Sequence, residues 1–176
     1  MPPRIPRQSA NEPGGHRADI DAGLGEDLAA VVSGARRRAL RDGDRQIDTA
    51  HLLHSLLEHD AEVRAVFEDG PQLARLLGYL VQRSIGYGLR WQGSVEDSGA
   101  VPVVPESEGY SPLAAGAMEH AAERAVRRGL VRANGTDLLS ALVLDPEARA
   151  VEVLTHAGIE AAVVLDRIES RVRRAV

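Results

Sequence analysis

"QIDTAHLLHSLL", Gln46 to Leu57, is the stretch that decides the fold. A polar Asp-Thr pair stands directly before a run that places Leu52, Leu53, Leu56 and Leu57 at helical spacing. Asp48 or Thr49 can cap that helix, because a side-chain oxygen there accepts from the unpaired N–H groups of the first turn. Farther along, the chain writes nearly the same thing again as "RANGTDLLSALV", Arg132 to Val143, with Thr136 before "DLLSALVL". Two apolar helix starts of one design predict two copies of one helical unit.

The surroundings repeat as well. Before the first start, Leu24, Leu28, Val31, Val32, Ala35 and Ala39 form one apolar stripe over "LGEDLAAVVSGARRRAL", and "RDGDRQ" breaks it. After it, "HDAEVRAVFEDG" reads as a short third helix. Pro71 suits the first turn of a fourth, "PQLARLLGYLVQRSIG". Residues 86–109 lose the helical period to Gly, Pro and Ser and read as a linker, with extended pieces expected at "GLRWQG" and "AVPVV". Ser111 and Pro112 then supply a cap and a first-turn proline for "PLAAGAMEHAAERAVRRG". Thr136 opens the next helix, and Asp145 with Pro146 opens "PEARAVEVLTHAG", with Gly158 just past its end. In the last helix Arg171, Arg173 and Arg174 complement the C-terminal dipole. The expected architecture is all-α: two tandem four-helix repeats with pseudo-two-fold symmetry, about eight helices in all. Repeat one spans 23–85, the linker 86–109 and repeat two 110–174, after a disordered Pro-, Gly- and Arg-containing tail over 1–22.

Composition bounds the chemistry. Hydrophobic residues make up 44% of the 176, aromatics only 3%, so the core is aliphatic, which suits helices better than a β-sandwich. There is no cysteine, hence no disulfide, thiolate metal site or Cys nucleophile. All 21 basic residues are Arg, and without lysine no Walker A phosphate loop can be built. A net charge of −5 argues against a general nucleic-acid binder. No apolar run approaches the ~20 residues of a membrane helix, and the first residues lack the apolar core of a signal peptide. A cytoplasmic protein is expected.

The stretch from about Leu24 to Val172 resembles the double repeat of the N-terminal domain of the Clp ATPases, of the ClpC and ClpA type. The family's repeat has an Ala-rich helix, a short break, then Ile-Gly-Thr-Glu-His and a leucine-rich helix. Here the first copy reads Ile47-Asp48-Thr49-Ala50-His51-Leu52-Leu53 and the second Gly135-Thr136-Asp137-Leu138-Leu139. Tyr110-Ser111-Pro112-Leu113-Ala114 is similar to the family's aromatic-Thr-Pro-Arg-Ala opening of repeat two. Arg149 to Leu154, then His156-Ala157-Gly158, looks like its third helix. The resemblance implies a pseudo-symmetric helical domain that docks substrates and adaptors ahead of AAA+ modules. In the ClpC type it also implies phosphoarginine binding at the Glu of each Gly-Thr-Glu-His. With no AAA+ part before Val176, a free-standing domain of this kind is expected.

A helix start presents N–H groups and partial positive charge, and so can hold a phosphate or carboxylate. A nearby acid pairs instead with a guanidinium. Thr49 and Thr136 with an acid could thus read both ends of a phosphorylated arginine. Ala50 replaces the first Glu, however, and Asp137 is one methylene shorter than the second. Both threonines could equally be plain caps. The expected ligand or peptide surface is the seam between repeats: Leu24, Thr49, Ala50, Tyr110, Ser111, Pro112, Thr136 and Asp137. Arg36, Arg37, Arg127 and Arg128 form basic clusters that could be solvated faces or dock an acidic partner. Trp91 in the linker could pack over the domain or anchor a partner. His51, His54 and His59 crowd one helix without an HExxH pattern or an evident third ligand, so no metal is expected. No catalytic constellation stands out either. The expectation is a non-enzymatic protein-binding module without cofactor. It would act on the Clp protease system as accessory, adaptor-like or decoy factor, binding substrates, adaptors or ligands, possible phosphoarginine proteins among them. The alternative is a regulator that reuses the fold for a partner unrelated to proteolysis.

Overall fold

A computed structural model describes residues 24–67, 70–83, 91, 94–97 and 109–175. Among them are eight helices and, in place of strands, two isolated β-bridges. The helices are α1 (Glu26–Asp42), α2 (Thr49–His59), α3 (Ala61–Val66), α4 (Gly70–Gln82), α5 (Pro112–Arg127), α6 (Gly135–Leu142), α7 (Arg149–His156) and α8 (Ala161–Arg174). The tail, the extended piece expected at "AVPVV" and all of "GLRWQG" except Trp91 lie outside the described residues.

α2 and α6 form the centre. Every residue from Thr49 to Leu57 is buried, and so is nearly all of α6. A helix enclosed on all sides is a core helix, and α2 encloses Thr49, His51, His54 and Ser55 along with its leucines. Leu52, Leu53 and Leu56 are fully enclosed, each contributing roughly 2 kcal/mol of burial. α1 packs on α2 and α5 on α6. Gly34 allows the first of these contacts: a Cβ there would stand 2.5 Å from the Ser55 hydroxyl, which donates to the Val31 carbonyl at 2.6 Å.

Further contacts are exchanged between the halves. α3 lies against α6 and α7 against α2, with α4 packed on α7 and α8 on α3. The bridges are exchanged too: Leu24 before α1 pairs with Ala133 before α6, and Ile47 before α2 pairs with Tyr110 before α5. The second is held by Ile47 N–H to the Gly109 carbonyl at 2.7 Å and Ser111 N–H to the Ile47 carbonyl at 2.8 Å. Each half therefore completes the other, as the pseudo-two-fold arrangement requires.

Three local expectations need correction. α1 begins at Glu26 because Leu24 is engaged in its bridge. α7 begins at Arg149, since Asp145 to Ala148 close a turn through Ala148 N–H and the Asp145 carbonyl. α6 is capped by Asn134, not Thr136, and of the two candidates offered for α2 the cap is Asp48. Asp48 thus matches Asn134, Thr49 matches Gly135, Ala50 matches Thr136 and His51 matches Asp137. The threonine echo is shifted by one residue against the structural repeat. Ser111 does cap α5 through Ala114 N–H, with Pro112 following, and Gly158 adopts φ 77 after α7, both as the sequence predicts.

Candidate binding clefts at the two seams

The bridges define two related seams, one at the start of α2 and one at the start of α6. They are filled differently.

At the first seam the occupant is Glu96, 4% exposed. Its Oε1 accepts from Thr49 N–H at 2.9 Å and from the Ser111 hydroxyl at 2.7 Å. Its Oε2 accepts from Arg149 N–H at 2.6 Å and from the Thr49 hydroxyl. One carboxylate therefore serves the starts of α2 and α7 and the cap of α5. The cause is local: α7 has Ala148 at its cap position, which offers no side-chain acceptor. Its first N–H groups turn to Glu96 and, from Ala150, to the Thr49 hydroxyl at 2.9 Å. Burial, with the Asp48 charge nearby, raises the Glu96 carboxyl above its usual range, while the bonds from Thr49 and Arg149 pull it down.

Around Glu96 lies a charged shell. Asp48 is 1% exposed and accepts from Arg83 Nη1 at 2.7 Å and Arg149 Nη1 at 2.9 Å. Burial opposes its charge, but His51 and Arg83 outweigh burial and hold it well below the usual carboxylate range. The Trp91 ring is flanked by both guanidiniums, Arg83 at 5.0 Å and Arg149 at 5.2 Å, and its Nε1–H donates to Glu152 at 2.9 Å. Cation–π contacts of this kind contribute roughly 0.5–2 kcal/mol each. Trp91 therefore packs over the domain and closes the seam.

At the second seam the start of α6 opens on a cleft of about 650 Å3. Asp27, His59, Asp60, Glu62, Arg128, Arg132, Asn134, Thr136 and Arg171 bring both signs of charge to its walls, and Leu28, Ile168 and Val172 its apolar part. Here α3 carries its own cap, Asp60, which accepts from Glu62 and Val63 N–H, so no outside acid is required. The same carboxylate presses on α6: a Cβ at Gly135 would stand 1.9 Å from Asp60 Oδ2. Only glycine fits where the first repeat has Thr49. Asp137 is enclosed in its own repeat. It accepts from Asn134 N–H at 3.0 Å and from Arg128 at 2.5 Å, and lies 3.2 Å from Arg124 Nε.

These features can be compared with known proteins. No protein-family model matches the sequence, and no curated protein matches it. Solved structures do. The N-terminal domain of the caseinolytic-protease-associated chaperone ClpD from Arabidopsis thaliana superposes with a TM-score of 0.60 at 16% identity, over 86% of this chain and 96% of that one. A structure from investigations of a malarial protein secretion system gives 0.60 at 14% identity, over 85% and 94%. The chain has the Clp N-domain fold.

Within that fold the structure places the residues singled out by sequence as follows. Leu24, Thr49, Ala50, Tyr110, Ser111 and Asp137 are buried, Thr136 is half-buried, and Pro112 is exposed. Thr49 and Ser111 meet at Glu96, whereas Thr136 lines the other seam and Asp137 faces its own repeat. Arg37 and Arg127 are exposed and Arg36 is half-buried, while Arg128 is committed to Asp137. Sequence reasoning missed Glu96, Arg83 and Arg149. One signal was available: Ala148 before an otherwise regular helix announces N–H groups that need an acceptor from elsewhere.

Proposed function

We propose that this chain is a non-catalytic, cytoplasmic protein-binding module of the Clp proteolytic system, acting as an accessory, adaptor-like or decoy factor. The observation that carries the reading is the inequality of the two seams. One is closed by the chain's own Glu96 and Trp91, and the other is an open cleft of mixed charge on a fold shared with a Clp chaperone's N-terminal domain. A partner segment with both charged and apolar side chains suits the open cleft. No described helix is long and apolar enough to cross a membrane.

Phosphoarginine proteins would bind weakly here. The acid expected to grip the guanidinium, Asp137, is already paired with Arg124 and Arg128, and Asp60 covers the α6 start that would take the phosphate. The filled first seam also supports a second reading, that the fold has been turned to a regulatory partner unrelated to proteolysis.

The test is site-directed photo-crosslinking in extract of the source cells. A crosslinker at Thr136 should capture a Clp ATPase, an adaptor or a degradation substrate, and one at Pro112, beside the closed seam, should not. Capture at Thr136 of a reproducible partner with no tie to proteolysis would favour the regulatory reading. Equal labelling from both positions would remove the open cleft as the binding site.

A further inference from the structure

The break between α1 and α2 carries a cluster that neither seam uses. Gly43, at φ 72, reverses the chain after α1, with Asp44 N–H returning to the Ala39 carbonyl at 2.9 Å. That left-handed turn, open to glycine without strain, sets Asp42 and Asp44 side by side. The His51 ring lies beneath them, 1% exposed. Its Nε2 is 3.4 Å from Asp42 Oδ2 and 3.1 Å from Asp44 Oδ2, yet it is aligned for a hydrogen bond with neither. The three atoms all lie within 4.8 Å of one another. Ligand atoms about 2.0–2.1 Å from a tetrahedral zinc ion stand about 3.3 Å apart, close to the two separations from His51 Nε2.

The support behind the ring fits the same reading. A histidine that ligates through Nε2 must carry its proton on Nδ1 and hand it to an acceptor, most effectively a carboxylate. Nδ1 lies 3.0 Å from Asp48 Oδ1. It also lies 3.1 Å from the Asp48 backbone N, which can close a capping box when Nδ1 is deprotonated. Arg83 Nη2 donates to Asp44 Oδ2 at 3.1 Å, and a carboxylate oxygen keeps a second lone pair for a metal. Burial opposes a charge on the ring, but Asp42, Asp44 and Asp48 raise the His51 pKa to about 10, so the pocket holds one cation, a proton or a metal ion in its place. The Asp44 side chain is 33% exposed and gives an ion a way in.

We propose that Asp42, Asp44 and His51 form a site for a first-row divalent metal ion of the zinc class, with its remaining position open to solvent. The His51–His54 spacing within α2 concealed it, because the other ligands come from the preceding turn.

Cobalt(II) is the probe, added to the full chain and followed by visible absorption, with zinc as competitor. One cobalt per chain should bind, give the intense bands of a four- or five-coordinate site, shift the His51 ring proton resonances and be displaced by zinc. Asp42→Asn and Asp44→Asn each remove one ligand from a surface turn. They should weaken binding at least about tenfold while leaving the circular dichroism unchanged. His16→Ala, in the tail, should bind as the parent does. Absence of saturable binding at millimolar cobalt overturns the proposal. So does binding that persists undiminished when both aspartates are replaced.

Discussion

Thr49 and Ala150 are joined across the two halves: the Ala150 N–H donates to the Thr49 hydroxyl oxygen at 2.9 Å, while that hydroxyl donates to Glu96. A valine at position 49 keeps the shape of threonine and removes both bonds, leaving a buried N–H and a buried carboxylate short of partners. Unsatisfied buried groups cost about 1–3 kcal/mol. Thr49→Val should therefore destabilise the protein by that amount in urea unfolding, and Thr49→Ser by much less. A Thr49→Val variant as stable as the parent would mean the hydroxyl bridge contributes nothing.

That bridge shows what sequence could and could not reveal. The helices were legible because the leucines of α2 and α6 keep helical period and because Ser111-Pro112 is a strong start signal. The repeat was legible as a repeat, but its register was not. Asp-Thr and Asn-Gly-Thr each offer two capping candidates, and the threonines align by eye while the caps align in space. The first seam was hidden because Glu96 lies in a linker without periodicity, far in sequence from Thr49 and Arg149. Only tertiary packing brings them together.

Gly135 and Asp60 should be energetically coupled. A methyl group at position 135 meets the Asp60 carboxylate at 1.9 Å, so carboxylate or helix must shift. Overpacking of this kind costs typically 1–3 kcal/mol. Gly135→Ala should lose stability in that range, and the loss should shrink in an Asp60→Ala background, although Asp60→Ala alone removes the α3 cap. A double-mutant cycle with no coupling would show that the cleft wall yields freely.

His54 should impose a pH dependence. Burial, with Arg38 and Arg83 nearby, lowers its pKa to about 4, against the pull of Glu58 and Asp42. In the unfolded chain it titrates near its ordinary value of about 6.5. Between these values the unfolded state binds the extra proton. Its neutral form thus contributes stability that is full above pH 6.5 and lost as pH falls towards 4, by at most about 3 kcal/mol. His54→Leu should flatten that part of the stability–pH curve. An unchanged slope in the variant would assign it to other groups.

Glu96→Ala should leave a hole with a defined chemical preference. Thr49 N–H, Arg149 N–H and the hydroxyls of Thr49 and Ser111 would all point into it with no acceptor. Loss of a four-bond carboxylate costs about 3 kcal/mol, and the single tryptophan, Trp91, reports the loosened seam by a red shift in emission. The hole still sits at two helix starts, so a small carboxylate should bind there and restore part of the stability. Acetate should raise the melting temperature of Glu96→Ala more than chloride at equal ionic strength, and leave the parent unaffected. Equal effects of the two anions would mean that the seam collapses when Glu96 is removed, so that the carboxylate site exists only as long as the chain fills it.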